Sequence, residues 1–240
     1  MTTTPTGPTP HGPTPYGTPD VPRITVRGEA HLEADPELAR IRVTVQARGT
    51  DRRTTLDDLT RRNSTALDLI KSYGEAVDKV ETGTFSLAPE YAKHGRGERV
   101  RTYHGRTTLT AELTDFTALG ELATRLADLD LTRVDGPHWS LRRTSPVHAQ
   151  ARTQAVREAV RRAREYADAL GTTVAALLEL SDTGTDPQDW THHESPRGWT
   201  RASFAKAPDD EPAPALNLEP QRQHIQATVS AAFTLHPPTL

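Results

Sequence analysis

The sequence predicts an α+β fold: a mainly antiparallel sheet covered on one face by about three helices, in a two-layer sandwich. Three observations carry that expectation. Residues 24–33 and 38–48 alternate apolar and polar side chains with a period of two, the mark of strands with one buried and one wet face. Residues 52–73 and 116–129 shift to the 3.6-residue period of amphipathic helices. Residues 145–171 then carry small apolar residues at three- and four-residue steps, a narrow stripe that lets a helix approach whatever it covers.

Each element follows from its own residues. In the first strand Ile24, Val26, Ala30 and Leu32 share one face, and Asp35-Pro36 makes the turn. The second strand turns Ile41, Val43, Val45 and Ala47 inward and Arg40, Arg42, Thr44, Gln46 and Arg48 outward. Leu56, Leu59, Ala66, Leu67 and Ile70 stripe the first helix, which ends by Gly74. Strands at 77–87, reaching Tyr91, and at 100–113 flank a glycine- and charge-rich hairpin at 93–98. Asp115 caps the second helix, which carries Phe116, Leu119, Leu122, Leu126 and Leu129. A short strand at 137–143 passes through Trp139 and Leu141. Ser145-Pro146 opens the alanine helix and Gly171 closes it. Strands at 174–181 and 225–235 complete the chain.

Two segments stand outside this pattern. Residues 1–22 repeat proline, threonine and glycine, as a disordered, solvated tail does, and 183–215 is a flexible insertion dense in Pro, Asp, Gly, Ser and Thr. Residues 23–240, apart from that insertion, are expected to form one domain.

Composition narrows the chemistry. The 240 residues include no cysteine, so disulfides and thiolate catalysis are excluded. A net charge of −3 gives no general pull toward nucleic acid or an anionic membrane, and no apolar run is long enough to span one. His192-His193-Glu194, with Asp186 and Asp189, has metal-ligand types but lacks the i,i+4 spacing that aims two imidazoles at one ion. No metal or cofactor is expected. No serine sits in a G-x-S-x-G turn, and Gly95-Arg96-Gly97 lies in a hairpin rather than between a strand and a helix. No catalytic residue is therefore assigned. Arg152, Arg157, Arg161, Arg162 and Arg164 line the outer side of the alanine helix among Glu158, Glu165 and Asp168. Glu158–Arg162 and Arg164–Asp168 are spaced as self-neutralising pairs, which argues against a nucleic-acid grip. Trp190, Trp199 and Phe204 are the candidate interaction residues. Large aromatics are costly to leave in water, so these are expected to dock on the protein's own fold, its oligomer or a separate protein partner, with plain disorder as the remaining reading.

The motifs, in this order, resemble the SIMPL-domain (DUF541) family. Its opening "ITVxGEG" strand and acidic proline turn stand here as residues 24–30 and Asp35-Pro36-Glu37-Leu38-Ala39. Its "T…F.L.P.Y" strand appears as Thr82, Thr84, Phe85, Leu87, Pro89 and Tyr91, and Tyr103 matches the strand that follows. Ala151, Ala155, Ala159, Ala163, Ala167 and Leu170-Gly171 match its alanine helix, and 225–235 its closing strand. The resemblance implies a sheet backed by helices, large homo-oligomers in some members, links to oxidative-stress defence, and no established catalytic set. It suggests a non-enzymatic, self-associating scaffold, with a small-molecule or lipid-headgroup module pocketed between sheet and helices as the alternative. Many relatives are exported. Residues 1–22 lack the basic start and apolar core of a secretory signal, so a cytoplasmic location is expected.

Overall fold

The computed structural model describes residues 17–91, 100–182 and 214–239. In chain order the elements are β1 (Arg23–Ala34), β2 (Leu38–Gly49), α1 (Arg52–Lys71), a 3₁₀ turn (Gly74–Ala76), β3 (Val77–Tyr91), β4 (Val100–Leu113), α2 (Phe116–Ala127), β5 (Thr132–Ser140), α3 (Pro146–Ala169), β6 (Val174–Asp182) and β7 (Gln223–Leu235). Order and types agree with the periodicity. β5 begins five residues earlier than its pattern suggests. Val134 is the sole apolar residue of 132–136, too little for an alternation to show.

The α+β class holds, with β2 antiparallel to β4 and β5, β3 to β4, and β6 to β7. The seven strands divide between two sheets, of order β1-β7-β6 and β3-β4-β2-β5. They belong to two compact units, one built from β1, α3, β6 and β7, the other from β2 to β5 with α1 and α2. The three helices are shared accordingly, one to the smaller sheet and two to the larger.

In the larger unit, β2 is flanked by β4 and β5, so its inward row Ile41, Val43, Val45 and Ala47 is fully enclosed. Leu109, Ala111 and Leu113 of β4 join it, with Leu59, Ala66 and Ile70 of α1 and Leu119, Leu122 and Leu126 of α2 above. Asp51 caps α1 by accepting from the Thr54 N–H at 2.9 Å, and Asp115 caps α2 through the N–H groups of Thr117 and Ala118. Trp139 lies edge-on to Phe116 at 4.7 Å, and both pack against this core. Gly120, within α2, is required by the chain that returns at Leu216. A Cβ there would lie 2.2 Å from the Leu216 carbonyl oxygen.

Thr44 departs from its place on the wet face. It points away from the helices, yet it is only 1% exposed and its Oγ1 has no hydrogen-bond partner in the structure. Its strand is central, and its neighbours Thr108 and Arg133 flank it on either side. An unmade hydrogen bond in such a place is expensive. Thr44→Val keeps the shape and removes the orphan hydroxyl. It should raise stability by about 1 kcal/mol, read as a higher urea midpoint. A lower midpoint would mean that the hydroxyl is satisfied in solution.

In the smaller unit, Ser145 caps α3 by accepting from the Val147 N–H at 3.4 Å, Pro146 occupies the first turn, and Gly171 closes it at φ 67°. Ala151, Ala155, Ala159, Ala163 and Ala167 are all buried, one unbroken ridge at four-residue steps. The ridge meets β1 at Gly28. A Cβ on Gly28 would stand 2.0 Å from the Ala155 carbonyl oxygen and 2.6 Å from the Ala159 nitrogen. Helix and strand backbones are therefore in direct contact, and no gap for a ligand remains between them there.

Candidate interaction surface

The candidates from the sequence fare unequally. Trp190, Trp199 and Phe204 lie outside the described residues, as do His192, His193, Glu194, Asp186, Asp189 and the hairpin glycines. The arginine face of α3 is in view, and two of its five arginines, Arg161 and Arg162, pair with acids of the same helix. Arg162 Nε lies 2.9 Å from Glu158 Oε1, the expected i,i+4 pair, and Arg162 Nη1 donates to the Arg27 carbonyl at 3.0 Å. Arg161 bridges Glu158, at 2.6 Å, and Glu165. Arg164 does not pair with Asp168 as its spacing suggests. The acidic neighbours of this face cluster instead around Arg161.

A hydroxyl, an imidazole and a carboxylate do meet, on the outward face of the larger sheet. Thr102 Oγ1 donates to Glu90 Oε2 at 2.8 Å, and His104 Nε2 lies 2.7 Å from that same oxygen and 3.2 Å from Thr102. A nucleophilic triad needs acid and hydroxyl on opposite imidazole nitrogens. Here both share one nitrogen. The arrangement ties β3 to β4 across their pair, and Arg48 of β2 adds a contact to Glu90 at 3.4 Å.

These pairs also give a pH dependence. Hydrogen bonds from Thr102 and His104 hold the Glu90 carboxyl below its usual range. Arg161 and Arg162 do the same for Glu158, and Arg62 and Arg61 for Asp58. Lowered carboxyls favour the fold above their unfolded values and lose that contribution as pH falls through the folded ones. The melting temperature should therefore be flat from neutrality to about pH 5 and fall below about pH 4. An unchanged melt at pH 3 would contradict it.

The most unusual surface is one that periodicity does not flag. β6 ends the order β1-β7-β6, and Leu177, Leu178 and Leu180 on it are 55, 38 and 47% exposed. Leu177 pairs with Phe233 and Leu180 with Ala231, both on the buried side of β7. The two leucines thus face the helix layer, but α3 sits over Gly28 of β1 at the opposite edge of the sheet. A shift in register between Leu177 and Glu179 turns Leu178 out as well. Sequence shows such a run only as a buried strand, because apolar content does not reveal how far a covering helix extends. Tyr166 and Leu170, at the end of α3, are exposed too.

Residues 24–233 match the family model SIMPL, described as a protein of unknown function (DUF541). The chain belongs to the SIMPL family. The 26 kDa periplasmic immunogenic protein of Brucella melitensis biotype 1 is 25% identical over 193 residues, 78% of this SIMPL chain and 76% of the relative. The protein of the same name from Brucella abortus strain S19 matches to the same extent. An uncharacterized protein, YggE, of Edwardsiella ictaluri is 21% identical over 218 residues, 90% of this chain and 88% of its own. Two of these relatives carry a periplasmic name, which overturns the cytoplasmic expectation. That expectation rested on the composition of residues 1–22. A fold without cysteine is stable in either compartment and lends it no support. Among the described residues no helix is long and apolar enough to cross a membrane.

Proposed function

We propose that this SIMPL protein is a non-enzymatic, self-associating scaffold that works outside the cytoplasm. One observation carries the reading: three leucines stand exposed on a terminal strand beside the largely buried β7. Apolar surface gathered on one edge marks a place where another protein surface fits. The extracytoplasmic location is supported by the names of the Brucella relatives. The geometry at Thr102, His104 and Glu90 supports a non-catalytic role, since it ties strands and does not activate a nucleophile. The stress link comes from the family resemblance alone. Residues 1–22 and 183–215 are appendages in this reading, and Trp190, Trp199 and Phe204 on the second are its contacts for a protein partner.

Light scattering on the full chain over a hundredfold concentration range tests the reading. The weight-average mass should rise with concentration above the 26.3 kDa of a single chain. A constant 26.3 kDa would overturn it.

A further inference from the structure

We infer that a second copy of this chain docks along β6, edge to edge and antiparallel, with Leu177 of each copy opposite Leu180 of the other. The inference rests on the self-association reading and names the surface that performs it.

The four terminal strands differ in how their edges are protected. A free strand edge offers unpaired N–H and C=O groups to any other strand, and proteins blunt such edges with charge, proline and bulges. β1 carries Arg23, Arg27, Glu29 and Glu33. β3 carries Lys79, Gly83 and Pro89 and three breaks of register. β5 carries Arg133, Gly136 and Pro137. β6 reads VAALLELSD, with no proline, no glycine and no cation, and breaks register twice, after Val174 and after Leu177. Among the described residues no strand pairs with its outer edge. Of the four described edges it alone lacks proline, glycine and cation together, and it carries the most exposed leucine.

A second copy fits this edge because β6 is complementary to itself. Placing Leu177 opposite the other copy's Leu180 sets Ala176 opposite Ser181 and Leu178 opposite Glu179, each pairing made twice by the two-fold axis. The sides agree. Leu177 and Leu180 both face the helix layer through their partners Phe233 and Ala231, while Ala176 and Ser181 both face away, beside Thr234 and Ser230. No like charges oppose one another in this register, and Glu179 is already drawn toward its own Arg23 at 3.7 Å. The two three-stranded sheets become one of six strands. A nine-residue seam alone falls short of the roughly 800 Å² per partner of a standard complex. A seam of that size gives a weak pair whose population rises with concentration.

The chain has no cysteine, which makes the register directly testable. Leu177→Cys and Leu180→Cys are prepared as separate proteins, checked for parental melting, and oxidised alone and mixed. Opposed antiparallel residues lie about 4.5–5.5 Å apart at Cα, within disulfide reach. The mixture should give a disulfide-linked heterodimer at least tenfold faster than either protein alone. Equal rates in all three samples, or no crosslink in any, would overturn the inference. If light scattering still shows association, the scaffold reading survives and another surface performs it. If the wild-type mass stays at that of one chain, both fall. Cysteines that resist a small thiol reagent in a monomer would mean that the chain's own residues cover β6, which also overturns the inference.

Discussion

Gly28→Ala should unfold the smaller unit or cost it at least about 3 kcal/mol. The usual sign of this substitution in a strand is favourable, since alanine restricts the unfolded chain more than glycine does. At Gly28 the new methyl would lie 2.0 Å from the Ala155 carbonyl oxygen and 2.8 Å from the Ala159 Cβ. A carbonyl bonded into its own helix cannot step aside as a side chain can, so α3 must lift as a body. Lifting it exposes the whole alanine ridge, from Ala151 to Ala167. Urea denaturation followed by circular dichroism reads the loss as a lower midpoint. A parental midpoint would mean that α3 does not lie against β1.

Ala159→Leu approaches the same contact from the helix side. Ala159 is fully buried against Gly28, and three added carbons have no space to enter. The expected cost is about 1–3 kcal/mol, again read from the midpoint. The two substitutions are not independent. Once either has pushed helix and strand apart, the other finds room, so the double variant should lose clearly less than the sum of the singles. Additive losses would place the two residues in separate environments.

Much of this architecture is written in local pattern. The inward row from Ile41 to Ala47 is a strict alternation with an enclosed face, and all four positions are buried. Asp51, Asp115 and Ser145 cap their helices because a short polar side chain before an apolar stripe has little else to do. The alanine repeat announces a close approach, though not the partner. Gly28 is just another glycine until the fold brings α3 onto it. What stayed hidden is what depends on extent and neighbourhood. Division into two sheets follows from long-range pairing, such as β7 inserting between β1 and β6, which no local period encodes. Thr44 looks like an ordinary outward threonine because its enclosure comes from β4 and β5.

The proposed β6 surface is not where the sequence draws attention. Aromatics at Trp190, Trp199 and Phe204 draw attention because they interrupt a polar segment, whereas the leucines of β6 look like core. The signal that could have found them is the mismatch between an apolar strand without proline, glycine or cation and a single helix too narrow to cover three strands. The helix pairs show a similar limit. Spacing alone allows Arg164–Asp168 and Arg161–Glu165 equally, and the second forms.

Hydrogen–deuterium exchange of β6, followed as a function of protein concentration, reads whether a second copy closes this edge. If the outer edge of this strand is closed by a second copy, those β6 amides not bonded to β7 will exchange slowly in concentrated solution. They will speed up on dilution, while amides of β2 in the enclosed sheet keep one rate throughout. Amides of 174–182 that exchange at the same fast rate at every concentration would contradict the account, since an open edge would then be the resting state of the molecule.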